Sequence, residues 1–247
     1  MSIICKNCGT EVVGNFCADC GQSADTQRLD IRYILHDIQL GLLYFDKGLF
    51  YTVKELFIRP GHTVREFIEG KRVNHFKPLS LVILLATFYA LLVFLLDLSF
   101  IEANVENPSG NVIDYGFLNQ WITQHYALVA LGLIPVLSLG SYISFKNQGY
   151  NFMEHMVLNA YASSQRLLLH IALIPVIYIL YGTTYYPWVS RVLLLLNFIL
   201  ICWCYSQYFN KQSKVKSILC TVLTGIIAYT ILIGLFVFWI YLNSGSV

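Results

Sequence analysis

The chain has 247 residues, of which 57% are hydrophobic and only 12% are charged. A soluble domain carries about a quarter charged residues, so this composition excludes an ordinary soluble domain and favours a polytopic membrane protein. The net charge of +2 is informative through its distribution, because ten of the 16 Lys and Arg residues precede residue 78. No secretory signal peptide is expected at the start, since Cys5 and Lys6 interrupt the first apolar run.

The first predicted module, residues 1–23, is a small zinc ribbon. Its four cysteines stand in two C-x2-C-G pairs: Cys5, Cys8, Cys17 and Cys20. In each pair two thiolates can converge on one ion, and the glycine that follows permits the tight turn. We expect a structural Zn²⁺ site without catalysis, because four thiolates fill a tetrahedral shell and leave no open position. The alternative is two disulfides or unligated thiols.

The ribbon gives two further expectations. Residues 10–16 are long enough for a minimal hairpin between the two cysteine pairs, with residues 14–15 as its turn. Reduced thiols persist in the cytosol, so a zinc ribbon places the N-terminus on the cytosolic side of the membrane. There the ribbon could bind a cytosolic protein partner.

Residues 24–78 are predicted to form cytosolic or interfacial amphipathic helices. A first stretch carries apolar residues at near-helical spacing: Leu29, Tyr33, Ile34, Ile38, Leu42 and Leu43. Two T-x-x-E capping boxes, beginning at Thr52 and Thr63, should start two short helices on either side of residues 60–61.

Gly70 should end the second of these helices, with Lys71 and Arg72 at its negative end. The basic stretch over residues 65–77 abuts the first membrane span, where it would meet anionic lipid headgroups. One interpretation is a support that seats the ribbon on the bilayer. The other is a binding site for a phosphate-bearing lipid or ligand, formed by four cations: Arg59, Arg65, Lys71 and Arg72.

Residues in the N-terminal part follow one pattern. Two CxxCG pairs are followed by an Arg-Leu dipeptide, then by the short motifs GLxYT, RPG and GKR, and finally by a proline before the first span. The matching residues are Cys5, Cys8, Cys17, Cys20, Arg28, Gly48, Leu49, Thr52, Pro60, Gly61, Arg65, Gly70, Lys71, Arg72 and Pro78. This pattern resembles that of a bacterial family of uncharacterised zinc-ribbon membrane proteins. The resemblance implies the architecture of a ribbon before a membrane bundle, and no assigned activity.

An all-α bundle of about five transmembrane helices is predicted over residues 79–247. Five stretches are long enough to cross about 30 Å of hydrocarbon. They cover roughly residues 79–99, 126–146, 155–181, 188–209 and 218–242.

Loop charges predict the orientation of this bundle. The loop at residues 100–125 contains Glu102, Glu106 and Asp114 and no Lys or Arg, whereas the loop at 210–217 contains three lysines. By the positive-inside rule, the N-terminus is in the cytosol and the C-terminus is outside. The expected location is the bacterial cytoplasmic (inner) membrane, with the lipid bilayer as a partner and no nucleic acid.

The third span carries a polar stripe. His155, Asn159, Ser163, Arg166 and His170 are spaced by 4, 4, 3 and 4 residues, so they share one helical face. An arginine this far into a span should face the bundle interior or a wet cavity. The stripe predicts either structural polar contacts between helices or a binding site at Arg166 and His170 for an anionic lipid or solute.

Few groups in the membrane could pair with Arg166. Asp97 is expected near the outer boundary, where Arg191 lies at a similar depth, and Asn197 and the threonines that begin the fifth span are neutral. We therefore expect Arg166 to lack a carboxylate partner, which would suit an anionic ligand, backbone carbonyls or water.

Three functions are compatible with these features, and a membrane scaffold or adaptor is the one that we expect, with a transporter or lipid-handling protein as the alternative. A membrane scaffold or adaptor, holding a cytosolic partner through the ribbon, explains the closed metal site and the lack of catalytic motifs. A transporter or lipid-handling protein, binding an anionic headgroup or solute near Arg166, explains the buried arginine better. An enzyme is not expected, because no paired carboxylates, H-E-x-x-H or G-x-S-x-G accompany the histidines.

Overall fold

The computed structural model describes residues 3–24, 26, 28–29, 48–98, 104–106, 112–114 and 116–244. Within them the chain is predominantly helical, which confirms the predicted all-α membrane class. The predicted amphipathic stretch beyond Leu29, containing Tyr33, Ile34, Ile38, Leu42 and Leu43, lies outside the described residues.

The elements follow one another from a small ribbon to a bundle of long helices. The ribbon contains an antiparallel pair of strands, β1 (Ile3–Ile4) and β2 (Glu11–Val12), and two helices come next, α1 (Gly48–Ile58) and α2 (Pro60–Glu69). The first long helix is α3 (Pro78–Leu95), followed by the hairpin of β3 (Asn104–Glu106) and β4 (Val112–Asp114) and by α4 (Gly116–Gln124). The last four helices are α5 (Tyr126–Ser144), α6 (Phe152–Leu180), α7 (Tyr186–Tyr208) and α8 (Lys214–Ser244).

Five helices, α3, α5, α6, α7 and α8, are long and apolar enough to cross a membrane, as predicted. The last four form a closed ring, in which each helix packs against the next and α8 returns to α5. α3 packs outside this ring, against α5 and α6. The approach of α5 to α8 requires a glycine, because a Cβ on Gly140 would lie 2.8 Å from the carbonyl oxygen of Thr224.

α1 and the turn before α3 pack against α6. The Tyr161 hydroxyl donates to the Phe76 carbonyl at 2.7 Å, and Gln165 Nε2 donates to the Leu56 carbonyl at 2.8 Å. Phe76 lies two residues before Pro78, where α3 begins. Tyr161 on α6 is therefore at about the same height in the bundle as the start of α3. From Tyr161 to its end, α6 is roughly 28 Å long, close to the thickness of the hydrocarbon layer. The end of α1 therefore contacts α6 at Gln165, one turn beyond Tyr161.

The two predicted capping boxes were wrong. α1 begins at Gly48 and α2 begins at Pro60, so Thr52 and Thr63 lie inside the helices. Proline favours the first position of a helix because its φ is already helical and its missing N–H is not needed there. The Thr52 hydroxyl instead accepts a hydrogen bond from the backbone N–H of Phe76 at 2.7 Å. A tertiary contact therefore uses the oxygen that we expected to cap the helix.

The predicted hairpin over residues 10–16 was also wrong. β2 pairs with β1, which precedes the first cysteine pair, and Phe16 forms an isolated bridge with Ser23, beyond the second pair. Each cysteine pair is thus enclosed by its own short antiparallel pairing. The physical reason is that each pairing closes the chain around one tight turn and brings its own two thiols together.

Candidate functional site

The four ribbon cysteines converge on one point. Their Sγ atoms all lie within 4.8 Å of one another, with 3.5 Å between Cys5 and Cys20 and 3.4 Å between Cys8 and Cys17. A disulfide requires about 2.05 Å between sulfurs, whereas four thiolates about 2.3 Å from a tetrahedral ion lie roughly 3.8 Å apart. The donor set therefore fits a metal ion and does not fit two disulfides.

Tight turns within each cysteine pair produce this convergence. The N–H of Gly9 donates to the Cys5 carbonyl and the N–H of Gly21 donates to the Cys17 carbonyl, both at 2.9 Å. These glycines have φ values of 81° and 74°, in the left-handed region that glycine adopts without strain. The predicted role of the glycine after each C-x2-C pair is thereby confirmed.

Thr10 supports the thiolate form of Cys8. The side-chain oxygen of Thr10 lies 3.4 Å from Cys8 Sγ and donates to the Asp19 carboxylate at 2.6 Å. Hydrogen bonding with Thr10, through its side chain first and its backbone second, lowers the pKa of Cys8 to about 6. A lowered pKa favours the thiolate, which is the form of cysteine that binds metals.

A buried glutamine attaches the ribbon to the end of α2. Gln22 is 4% exposed, and its Nε2 donates to the Gly70 carbonyl at 2.7 Å. Its Oε1 accepts the backbone N–H of Arg72 at 3.0 Å and that of Val73 at 3.4 Å. Gly70 ends α2 in a left-handed conformation with φ of 109°, as predicted, and so exposes these backbone groups to Gln22.

The chain after the ribbon is joined to α6 by an ion pair. Arg28 Nε and Nη2 donate to the two carboxylate oxygens of Glu154 at 2.8 and 3.0 Å. The Glu154 side chain is 5% exposed and that of Arg28 is 63% exposed. Hydrogen bonding and charge from Glu154 raise the pKa of Arg28. The bidentate geometry fixes the direction of approach as well as the charge pairing.

Two of the four predicted basic site residues, Arg59 and Arg65, are held by carboxylates or by the end of a membrane helix. Arg59 is ion-paired with Glu55 and also with Glu66, at 2.8 Å, and these carboxylates raise its pKa. Arg65 donates to the backbone carbonyls of Gln207 and Tyr208, the latter at 2.9 Å, at the end of α7. Carbonyls at a helix C-terminus lack helical partners, so Arg65 stabilises the end of a membrane helix.

The other two basic residues flank the contact with Gln22. Arg72 Nε donates to the Phe67 carbonyl at 3.2 Å, and its guanidinium lies 5.6 Å from the centre of the Phe67 ring. The backbone N–H of Lys71 donates to the Glu66 carbonyl at 2.9 Å. Both residues thus lie where the sequence predicts them, at the negative end of α2.

The first half of the polar stripe along the chain, around His155 and Asn159, forms a network between helices. Ser141 Oγ lies 2.9 Å from His155 Nδ1 and accepts from Asn159 Nδ2 at 3.1 Å. Asn159 Nδ2 also donates to Ser138 Oγ at 3.3 Å, while the Tyr205 hydroxyl donates to Asn159 Oδ1 at 2.7 Å. These buried groups join α5, α6 and α7, as the structural interpretation of the stripe predicts.

The second half of the stripe is different, because its arginine is poorly satisfied. Arg166 Nη2 donates to Ser163 Oγ at 3.4 Å, and Arg166 Nε is buried without a hydrogen-bond partner in the described part of the chain. None of the ion pairs between described residues includes Arg166. One turn further along α6, His170 Nε2 lies 2.9 Å from Asn197 Nδ2. The side-chain oxygen of Asn197 is also buried without a hydrogen-bond partner among the described residues.

Two cavities meet at Arg166. The larger has a volume of about 370 Å³ and is lined by residues of α5, α6, α7 and α8. The smaller has a volume of about 170 Å³ and is lined by Tyr126, His170 and Asn197, among others. Ser163 and Arg166 line both cavities. The arginine therefore stands between two open spaces inside the bundle.

Several contact residues at these sites were missed in the sequence. Glu154 had a signal, because Asn151-x-x-Glu154 forms a capping box in which each side chain bonds the other's backbone at 2.8 Å. Gln22, Gln165 and Tyr205 had none. Their importance comes from burial against distant parts of the chain, which no local pattern encodes.

A comparison with known protein families matches one segment of the pattern that resembles the zinc-ribbon membrane protein family. A family model described as "Protein of unknown function (DUF3667)" matches residues 46–90. This segment contains α1, α2 and most of α3, including Pro60, Gly70 and Arg72 of the pattern, and excludes the cysteines. No curated protein and no solved structure matches the chain.

Proposed function

We propose that the protein handles an anionic lipid or solute, which it binds at Arg166 inside its membrane bundle. One observation carries the proposal: Arg166 lies between two cavities, and its buried Nε has no partner among the described residues. The proposal favours lipid handling or transport over catalysis, and it assigns no reaction to the chain.

The energetic argument concerns an unpaired charge. An arginine within a membrane-spanning helix is costly, so such residues are rare and usually functional. The polar groups that share the two cavities with Arg166 are neutral side chains, such as Ser163 and Asn197. These can solvate a guanidinium but cannot neutralise it. An anionic ligand would supply the missing charge in a medium of low dielectric constant, where the attraction is strong.

Thermal unfolding of the purified protein in dodecyl maltoside micelles tests this proposal. We expect dodecyl phosphate to raise the unfolding midpoint, because a ligand that binds only the folded state stabilises it. Dodecyl phosphocholine should have a smaller effect. Arg166→Gln should abolish the difference between the two additives without lowering the midpoint of the free protein, since it removes an unpaired charge.

Arg191 offers a matched control on another span. Its guanidinium lies 5.0 Å from the centre of the Trp188 ring, at the start of α7. Arg191→Gln should retain the response to dodecyl phosphate. An equal response in Arg166→Gln and the wild type would overturn the proposal.

For the ribbon, we propose a structural Zn²⁺ site held by Cys5, Cys8, Cys17 and Cys20. The four-sulfur donor set and its spacing support zinc, which prefers tetrahedral thiolate coordination in such ribbons. When bound, the ion would supply folding energy to a module with almost no core. The proposed orientation keeps this ribbon in the cytosol of a bacterium, with the bundle in the inner membrane.

A scaffold or adaptor is the second candidate function, and exposed apolar residues on the ribbon favour it. Ile4, Val13 and Phe16 are 69%, 97% and 67% exposed, although the ribbon has little other apolar surface to bury. Such residues suit a protein partner. A photo-crosslinking amino acid at position 13 should give one discrete protein adduct in cells, while the same group at the exposed Lys146, outside the ribbon, should not. Reaction at position 13 with lipid alone would exclude this function.

A further inference from the structure

We infer that the ligand is an amphiphile, a lipid whose anionic headgroup occupies the smaller cavity while its acyl chain occupies the larger one. This inference rests on the proposed function, because both use Arg166. It adds the chemical class of the ligand, the division of the site and the route of entry.

The smaller cavity has the chemistry of a headgroup site. The hydroxyl-bearing Tyr126 and Ser163, the imidazole of His170 and the amide of Asn197 all line it beside the guanidinium of Arg166. These side chains offer several hydrogen-bond donors around one positive charge, which is the arrangement that a phosphate or carboxylate requires. At about 170 Å³ the cavity has room for a small charged group rather than for a whole lipid.

The larger cavity has the chemistry of an acyl-chain site. Its walls are mostly carbon, with contributions from Leu137, Ala162, Phe198, Ile201, Val222 and Ile226. A volume of about 370 Å³ falls in the usual range for ligand pockets. A water-soluble anion would gain nothing from these walls, whereas an acyl chain buries its surface against them.

The α7–α8 side of the larger cavity faces outward, towards the hydrocarbon of the bilayer. Phe198 on α7 is 41% exposed, and Ile226 and Tyr229 on α8 are 55% and 66% exposed, although all three line the cavity. A ligand that is already dissolved in the bilayer can therefore enter sideways between α7 and α8. Its charged end would then meet Arg166, which lines the same cavity from α6.

A substitution at Gly225 can fill the larger cavity without changing the smaller one. It lines that cavity, and a Cβ built on it meets no atom within 4 Å, so a longer side chain would enter open space. Gly234 lies further along α8 and also has open space around its Cβ, but it lines neither cavity. Gly225→Leu and Gly234→Leu therefore make the same change on one helix, and both should fold, since leucine favours helix more than glycine does.

Photo-crosslinking from reconstituted vesicles tests the inference. The protein is placed in phosphatidylcholine vesicles with a trace of phosphatidic acid that carries a diazirine on its acyl chain. In a parallel sample, phosphatidylcholine carries the same diazirine. Adducts are mapped by peptide mass spectrometry, with thermal unfolding as the check that each variant is folded.

We expect phosphatidic acid adducts in the α7 and α8 peptides around Phe198 and Ile226, about tenfold above those of phosphatidylcholine, which corresponds to a tenfold affinity ratio. Gly225→Leu should remove them and Gly234→Leu should not. If Gly225→Leu keeps the adducts while Arg166→Gln loses the preference for phosphatidic acid, the amphiphile inference fails and the anion site stands. If Arg166→Gln keeps that preference, the proposed function itself fails.

Discussion

Gln22 and Gly70 join the ribbon to the membrane bundle through a hydrogen bond of 2.7 Å from the Gln22 amide to the Gly70 carbonyl. The carbonyl of the same amide accepts the backbone N–H groups that follow, from Arg72 and Val73. One side chain thus satisfies three backbone groups of the turn that follows α2. The ribbon is consequently a part of the folded bundle at this point, rather than an independent tether.

Replacing Gln22 should loosen the ribbon without unfolding the spans. Gln22→Ala leaves the Gly70 carbonyl and the Arg72 N–H without this partner, at a cost of about 1–3 kcal/mol where such groups stay buried. We expect faster hydrogen exchange and faster proteolysis in residues 3–24, with little change in α5 or α6. Asn15→Ala, an exposed ribbon residue, is the control. Equal protection in both variants would contradict the docking function of Gln22.

Metal removal should affect the ribbon first. The wild type should contain one zinc ion per chain by elemental analysis, and Cys8→Ser should lose it, because three thiolates hold zinc more weakly than four. Loss of the metal should then release residues 3–24 to proteases while the spans stay inserted. Cys220→Ser, which changes a cysteine on α8, should keep the metal. Retention of zinc by Cys8→Ser would contradict the proposed ligand set.

Because of His75, the free energy of unfolding should decrease as the pH falls below neutrality. Burial lowers the pKa of His75 from its ordinary value of 6.5, although Glu66 lies 3.5 Å from its Nε2 and opposes that effect. Below pH 6.5 the unfolded chain takes up a proton that the folded chain resists, so this contribution to stability is present above that pH and is lost as the pH falls. Glu55 and Arg59 also act on this histidine, with opposite signs.

His75→Phe tests this pH dependence, because it keeps the aromatic packing against Tyr51 and Phe67 and removes the titrating nitrogen. The unfolding midpoint of the wild type should drop more between pH 7.5 and pH 5.5 (about one unit on either side of an ordinary histidine pKa) than that of the variant. His62→Phe, at an exposed position of α2, should behave as the wild type does. Identical pH profiles for all three proteins would contradict the role of His75.

The periodicity of the sequence predicts the spans well, because a stretch of apolar residues long enough to cross a bilayer has few other stable structures. The same holds for the cysteine quartet, since its spacing encodes a local turn. The stripe on α6 shows the limit. Its helical spacing predicts one face, but not that Tyr205 from α7 completes the network at Asn159 while Arg166 is left between two cavities. That division depends on the packing of separate helices.

Gly61 shows the same dependence on packing, and it gives a sharp test of the α2–α7 contact. A Cβ on Gly61 would lie 2.4 Å from Gln207 Cβ and from the backbone nitrogen of Tyr208, which cannot move aside without shifting α7. Gly61→Ala should therefore lower stability by about 1–3 kcal/mol, as overpacking does. Gly132→Ala on α5, where the added Cβ meets open space, should be neutral or stabilising because alanine favours helix. Thermal unfolding of the two variants measures the difference, and equal midpoints would mean that α2 does not seat this closely against the end of α7.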